Sequence, residues 1–184
     1  MKKAYVFLAD GFEEIEGLTV VDILRRAGVE TVMTAIGETK NVVGAHQIAV
    51  GADLLFEEAD FTDADMLVLP GGMPGTTYLG AHKGLTKLLL EANTQGVGIA
   101  AICAAPSVLG DLGLLDGKVA VCYPGFEERL TGARIGTHTV ETDGNITTSR
   151  GMGTAIDFAL ELTRRLCGSE KAEALGKGII YLAN

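Results

Sequence analysis

A cysteine at position 103 has the surroundings of a catalytic nucleophile. Cys103 follows an apolar run at 98–102, has Ala101 and Ala105 two residues to either side, and precedes Pro106, which suits the first turn of a helix. A sharp turn from strand to helix brings two backbones together and needs small neighbours, so the pattern resembles a nucleophile elbow. The helix end would favour a thiolate, and we expect a thiol pKa well below about 8.5. The alternative is a cysteine packed as a small hydrophobic residue.

Two further segments carry groups that could serve such a nucleophile. Gly71 and Gly72 follow an apolar run and offer two unobstructed backbone N–H groups, as an oxyanion hole requires; an ordinary turn is the alternative. Glu16 shares a predicted helix face with Phe12 and Val20, where a carboxylate is costly unless it is paired or protonated. These residues therefore join Cys103 as candidate site residues. The neighbouring glutamates 13 and 14 are expected to be solvated.

The remaining titratable candidates are weaker. Tyr123 precedes a proline at the end of an apolar run, so its hydroxyl faces the cleft or the ring packs in a turn. His82 opens a predicted helix and is expected to cap it or to be solvated. Cys122 is expected to belong to a strand core and Cys167 to be unreactive.

These candidates follow the strands of a predicted α/β fold. The apolar runs are continuous, as in parallel strands covered on both faces, and amphipathic helical segments separate them. Strands are predicted at 4–9, 31–36, 65–69, 98–102, 118–122 and 146–148, and helices at 14–27, 85–93, 154–166 and 170–176. The fold class is therefore a flavodoxin-like, doubly wound and mostly parallel sheet with helices on both faces, whose site lies at the carboxyl ends of the strands.

Two segments interrupt the alternation of strand and helix. Residues 47–55 and 134–150 are predicted to form antiparallel additions, and Asp143-Gly144 in the second is a hairpin turn signal. No repeat, linker or low-complexity stretch occurs, so we predict one domain over 1–184.

Composition excludes several classes of protein. The 184 residues are 47% hydrophobic and 21% charged, which suits one closed core and not a disordered chain. A net charge of −9 argues against nucleic acid and anionic membranes as partners. No apolar run approaches the roughly 20 residues of a membrane helix. Three cysteines without a C-x-x-C motif indicate neither disulfides nor a zinc cluster, so a reducing cytoplasm is expected.

Five segments together resemble the ThiJ/PfpI superfamily, in the branch of the Parkinson-disease-linked protein DJ-one. They are DGFEEIE at 10–16, VDILRRAG at 21–28, LPGG at 69–72, AAICAAP at 100–106 and TSRGMGT at 148–154. The resemblance covers nearly the whole chain and implies a flavodoxin-like homodimer. It also implies that Cys103 is the reactive cysteine, that protonated Glu16 hydrogen-bonds to it, and that Gly71, Gly72 and Ala104 supply backbone N–H groups.

Three positions depart from what the resemblance would supply. Ala104 replaces the histidine that follows the cysteine in the protease-like branch, which argues against peptidase activity. Tyr123 replaces the histidine of the DJ-one branch, so the usual acid–base partner is missing. His46 stands where that branch has an arginine reaching the neighbouring subunit's site, so Tyr123 and His46 are the candidate substrate contacts.

The sequence leaves two hypotheses for function. The first is a cofactor-free, metal-free cysteine enzyme of the glyoxalase III type, in which Cys103 adds to methylglyoxal or glyoxal and Glu16 moves the proton; protein deglycase activity would share the first step. The second is a redox-sensing protein of oxidative stress, in which Cys103 is oxidised to a sulfinate held by Glu16.

Overall fold

A seven-stranded sheet forms the centre of the computed structural model, which describes residues 1–181. The strands in chain order are β1 (Lys3–Leu8), β2 (Glu30–Ala35), β3 (Asn41–Val43), β4 (Ala49–Gly51), β5 (Leu54–Leu55), β6 (Met66–Leu69), β7 (Gly98–Ile102), β8 (Val119–Ala120), β9 (Arg134–Ile135), β10 (Val140–Asp143) and β11 (Ile146–Ser149). The order across the sheet is β10-β11-β7-β6-β1-β2-β5. Every neighbouring pair in it is parallel except β10 with β11. The predicted α/β fold class is confirmed.

Helices cover both faces of the sheet. They are α1 (Glu14–Ala27), α2 (Gly75–Ala81), α3 (Lys83–Gln95), α4 (Pro106–Asp111), α5 (Ala155–Cys167) and α6 (Ser169–Gly178). One buried apolar cluster packs α1 and α5 on one face, and a second packs α3 and α4 on the other. The predicted bounds of α1 are confirmed: the helix ends at Gly28, whose φ of 85° is the left-handed conformation that glycine adopts without strain.

The prediction of a strand of the main sheet at 118–122 is wrong: the observed strand is shorter and lies outside that sheet. Only Val119–Ala120 is a strand, and it pairs with β9 in a separate two-stranded sheet. The ladder cannot continue because side chains take the donors: the Val119 N–H donates to Asp143 and the Val121 N–H donates to Thr148. Cys122 is buried, but it lies beyond the strand.

The two predicted antiparallel additions differ in outcome. In the segment 134–150, β10 and β11 pair antiparallel around Asp143-Gly144, as predicted, whereas β9 at its start pairs parallel with β8, so that part of the prediction is wrong. In the segment 47–55, β4 pairs antiparallel with β3 outside the main sheet, whereas β5 lies parallel to β2 at the sheet edge, so the second half of that prediction is wrong. Among residues 1–181, no helix combines the length and apolar character that crossing a membrane requires.

Candidate active site

Cys103 occupies a strained turn between β7 and α4. Its φ of 65° lies in the left-handed region, which costs a non-glycine residue on the order of 1–3 kcal/mol. The backbone is held on both sides: the Cys103 N–H donates to the Ser149 carbonyl at 3.0 Å, and the Cys103 carbonyl accepts from the Tyr123 N–H at 2.8 Å. The elbow geometry expected from the sequence is therefore present.

Gly71 is the closest backbone neighbour of the cysteine side chain. A Cβ placed on Gly71 would lie 2.5 Å from the Cys103 Cβ and 2.7 Å from Glu16 Oε2, so only glycine fits between the two functional groups. The Gly71 N–H donates to Glu16 Oε2 at 2.9 Å. The expectation that this N–H serves an oxyanion needs correction, because Gly71 holds the carboxyl group instead.

The sulfur of Cys103 receives two other backbone donors. The N–H groups of Gly72 and Ala104 hydrogen-bond to the thiol, and both favour its ionised form. Ala104 is brought there by the elbow, and Gly72 by a φ of 91° and by the backbone of Gly11 and Glu13, which leaves no room for a Cβ. Two of the three predicted donors therefore face the sulfur.

Glu16 lies against Cys103 and is almost completely buried. Glu16 is 1% exposed, and its Oε1 atom accepts no hydrogen bond from residues 1–181. The carboxyl group is nevertheless close enough to the thiol for each to alter the pKa of the other. An unpaired buried carboxylate oxygen is costly, whereas the same oxygen carrying a proton becomes a donor.

The pKa values of the Glu16 and Cys103 pair are both raised. Burial raises the pKa of Glu16 to about 7, against the opposing contacts from Cys103 and the Gly71 N–H. Burial and then the adjacent Glu16 charge raise the pKa of Cys103 to about 12. The expected thiol pKa well below its ordinary range is therefore wrong beside an ionised Glu16. Two negative charges do not coexist here at neutral pH, so the pair keeps one proton between about pH 7 and about pH 12.

Tyr123 stands at the mouth of this site. Its side chain is half-exposed, and its ring lies beside Gly151, where a Cβ would come 3.3 Å from Tyr123 Cδ2 and 3.9 Å from Glu16 Oε1. Its hydroxyl has no hydrogen-bond partner in the described part of the chain. The predicted position of Tyr123 beside the cleft is thus found, with a phenol in place of a base.

His46 hydrogen-bonds to Glu14, and not to the Glu16 carboxyl group of the site. Its backbone N–H donates to Glu14 Oε1 at 2.7 Å, and its ring Nδ1 lies 2.8 Å from Glu14 Oε2. Glu14 is 4% exposed, so the expectation that it is solvated is wrong. Hydrogen bonding to Glu14 raises the pKa of His46, and His46 contacts outweigh burial and lower the pKa of Glu14.

Glu13, Glu14 and His46 also form a cluster whose potential metal-ligating atoms lie within 4.8 Å of one another. Because Glu14 and His46 already hydrogen-bond to each other, their contacts are satisfied without an ion.

Elsewhere, His82 caps α3 by accepting the Leu85 N–H at 3.0 Å, as expected. Burial raises the pKa of Cys122 to about 11, with Glu127 contributing, which suits an unreactive thiol.

Sequence reasoning gave no role to Ser149, Arg150 or Gly151, although they form one wall of the site. Ser149 pairs with Ile102 in the β11–β7 register, which carries the following residues alongside Cys103. They lie in the predicted addition at 134–150 and in the segment 148–154 that carries the family resemblance, but neither signal gave them a place beside Cys103. A correct pairing of the strand predicted at 146–148 with the cysteine strand would have located them.

Comparisons with known proteins show which family this chain and its fold are similar to. The model of the DJ-1/PfpI family matches residues 2–165. Protein DJ-1 homolog B of Arabidopsis thaliana is 38% identical over 187 residues, which span 100% of this chain and 42% of that relative. Glutathione-independent glyoxalase DJR-1.2 of Caenorhabditis elegans is 31% identical over 96% of this chain and 95% of its own. The structure of oxidized DJ-1 of Toxoplasma gondii superposes with a TM-score of 0.96 at 36% identity, covering 100% of both chains.

Proposed function

The chain belongs to the DJ-1/PfpI family, and on that premise we propose that it is a cofactor-independent cysteine enzyme that converts small α-oxoaldehydes such as methylglyoxal to hydroxy acids. The observation that carries the proposal is the buried Glu16 carboxyl, with a pKa of about 7 and an unpaired Oε1, against the thiol of Cys103. A proton donor and a nucleophile that share one proton are what an internal redox rearrangement of an aldehyde requires. The similarity to a relative named a glyoxalase supports the same reaction class.

The number of donors at each atom favours a thiolate beside a protonated carboxyl. Two backbone N–H groups, those of Gly72 and Ala104, favour an ionised sulfur, whereas the carboxyl has one backbone donor, that of Gly71, besides its contact with the thiol. Hydrogen bonds to an ionised atom stabilise its charge, so the shared proton belongs on Oε1. Cys103 is then a nucleophile at neutral pH without a histidine base.

The reaction proceeds from that proton arrangement. The thiolate attacks the aldehyde carbon of methylglyoxal, a C–S bond forms, and the new alkoxide takes the proton from Glu16. The Glu16 carboxylate next removes the hydrogen of the first carbon as a proton and returns it to the second, while the hydroxyl proton passes from the first oxygen to the second. Water hydrolyses the resulting thioester, which releases lactate and restores the thiol. The N–H groups of Gly72 and Ala104 stabilise the alkoxide.

Lactate production from methylglyoxal, and glycolate production from glyoxal, test this proposal. Wild type is expected to form both products without added thiol, Cys103→Ala to form neither, and Cys122→Ala, the matched cysteine control, to retain turnover. Product formation by Cys103→Ala would contradict the nucleophile. Release of an early glycation adduct from a methylglyoxal-treated peptide by the same variants tests deglycase activity, which shares the first step.

A redox-sensing role is the second candidate, and the absent histidine favours it. Tyr123 stands at the mouth of the site, and a phenol is a poor base for fast turnover compared with an imidazole. Peroxide would oxidise the Cys103 thiolate to a sulfinate, two peroxides being reduced to water, and the N–H groups on the sulfur and a protonated Glu16 would hold the new oxygens. Selective gain of two oxygen atoms on Cys103 by a protein that forms no lactate would support this role.

We also infer that the enzyme forms a homodimer through an apolar groove beside α1. Ile15 and Ile48 are each about half-exposed there, and with Leu18, Ile156 and Ile179 they line a cavity of about 650 Å³. His46 precedes Ile48 by two residues, so a second copy seated on this groove would approach the His46 side of the site. Sedimentation equilibrium is expected to give a dimer for wild type and a monomer for Ile48→Glu; a dimeric Ile48→Glu would exclude this surface.

We place the activity in the cytoplasm, where reducing conditions keep the three free cysteines as thiols.

A further inference from the structure

We propose that Arg150 forms an anion subsite beside Cys103, which binds the carboxylate of the hydroxy acid product and favours anionic over neutral ligands at the thiol. The identity of the product rests on the proposed function. The preference for negative charge does not, because it can be measured on Cys103 without turnover.

The backbone places Arg150 next to the nucleophile. Ser149 is in register with Ile102, and its carbonyl accepts the Cys103 N–H at 3.0 Å, so Arg150 follows directly along the same wall. The next residue, Gly151, lies against the Tyr123 ring and near Glu16 Oε1. Both neighbours of Arg150 in the chain, Ser149 and Gly151, therefore border the site of the thiol.

The side chain of Arg150 is directed to the mouth of the site. The Ser149 hydroxyl bonds to the Thr139 carbonyl and to the Thr154 hydroxyl, whereas the Thr148 hydroxyl accepts from Val121. Because side chains alternate along an extended chain, Arg150 belongs on the Thr148 side, toward the segment that contains Tyr123. The Arg150 charge accordingly opposes the burial that raises the pKa of Cys122, the residue before Tyr123.

The guanidinium of Arg150 has no carboxylate partner among residues 1–181. Arg150 is exposed, and the salt bridges of the described chain engage other arginines, at positions 25, 26, 129 and 164. Its charge is therefore not neutralised by a carboxylate of the described chain, although the whole sequence has 24 acidic and 15 basic residues. Since guanidinium binds carboxylates through two parallel hydrogen bonds, a small carboxylate is the ligand class that this position fits. The free hydroxyl of Tyr123 provides a second donor.

Alkylation of Cys103 by two reagents that react by the same mechanism but differ in charge tests the subsite. Iodoacetate and iodoacetamide attack through the same carbon but differ in charge, so the ratio of their rates at Cys103 reports the local field. In Arg150→Met the iodoacetate to iodoacetamide ratio is expected to fall by about fivefold at low salt, as for one exposed ion pair. Arg150→Lys should restore most of the ratio. Added salt should lower the ratio in wild type and leave it nearly constant in Arg150→Met.

Arg165→Met is the matched control, since Arg165 is an exposed arginine that lies on α5 near the amino ends of β1 and β7. An unchanged ratio in Arg150→Met, or an equal fall in Arg165→Met, overturns the proposal. Lactate and glycolate should protect Cys103 from iodoacetamide at lower concentration in wild type than in Arg150→Met. Failure of wild type to make lactate while the ratio still depends on Arg150 would contradict the proposed function and leave the subsite in place.

Discussion

Two glutamates in the first turn of α1 are equally buried and behave in opposite ways. Glu14 is 4% exposed and has a lowered pKa, whereas Glu16 is 1% exposed and has a pKa raised to about 7. Residues two apart on a helix point in nearly opposite directions, so Glu14 meets the β3–β4 turn and Glu16 meets the end of β6 and the cysteine turn.

The difference between them lies in their partners. Glu14 receives a backbone N–H and an imidazole from His46, which together outweigh the cost of burial. Burial outweighs the contacts of Glu16, which are the Cys103 thiol and one backbone N–H, that of Gly71. Burial by itself therefore does not distinguish the two carboxyl groups; an unpaired buried oxygen beside a thiol does, and it makes Glu16 the candidate functional group.

The largest expected effect is a difference in turnover rate between the variants Glu16→Gln and Glu14→Gln. Glu16→Gln removes the group that carries the proton, and loss of a positioned acid–base group costs about 10²–10⁴-fold in rate. Glu14→Gln keeps an acceptor for His46 and is expected to stay within about threefold, the effect of less than one neutral hydrogen bond. Steady-state rates with methylglyoxal decide; comparable losses in both variants would assign Glu16 a structural role.

The second effect is a pH dependence of stability with opposite signs. The Glu16–Cys103 pair loses its first proton at about pH 7 in the folded chain, against an ordinary 4.5 for the carboxyl, so the contribution of this proton is complete below pH 4.5 and is lost as pH rises to about 7. At roughly 1.4 kcal/mol for each pKa unit, the loss is about 3 kcal/mol. Glu14 has the opposite sign: its contribution is present above pH 4.5 and is lost as pH falls through its lowered pKa.

Urea unfolding of wild type, Glu16→Gln and Glu14→Gln at pH 4.5 and pH 7.5 measures this difference. The fall in unfolding free energy attributable to Glu16 is expected to disappear in Glu16→Gln and to persist in Glu14→Gln. An identical pH profile for wild type and Glu16→Gln would mean that the folded carboxyl has an ordinary pKa.

The third effect is a rise in the pKa of Glu14, toward the raised pKa of Glu16, when His46 is removed. In His46→Ala the imidazole is gone while burial remains, so the pKa of Glu14 is expected to rise from its lowered value. A carbon-13 NMR titration of the glutamate carboxyl groups reports the rise directly. The pKa of Glu16 should stay unchanged in the same spectra, and a shift of both would show that the two sides of the helix are coupled.

The smallest effect concerns Tyr123. If it orients the substrate by one hydrogen bond, Tyr123→Phe costs about 1 kcal/mol, or about fivefold in kcat/KM. His46→Ala at matched dimer concentration is the comparison, because a larger loss there that follows dimer formation would give His46 the role across the interface. Negligible losses in both variants would leave Cys103 and Glu16 as the working groups and favour the redox role.

Much of the fold and part of the site followed from local chemistry. The bounds of α1 were predictable because its apolar residues repeat at helical spacing and Gly28 supplies the left-handed end. The elbow at Cys103 was predictable because small residues and Pro106 surround the cysteine within a few positions. The burial of Glu16 was predictable from the apolar residues on its own helix face.

Tertiary contacts decided what those groups do. Whether the Gly71 N–H serves an oxyanion or a carboxyl depended on Glu16, 55 residues away, and the burial of Glu14 depended on His46, 32 residues away. The strand at 118–122 was shortened by the side chains of Asp143 and Thr148, and the backbone of Arg150 follows Ser149 beside the cysteine turn only because β11 pairs with β7. Hydrophobic spacing and turn residues act over a few positions, so the sequence by itself determined most of the elements and the sharp turn at Cys103. Hydrogen-bond partners and pKa values arise between segments distant in the chain, and only the packed structure could assign them.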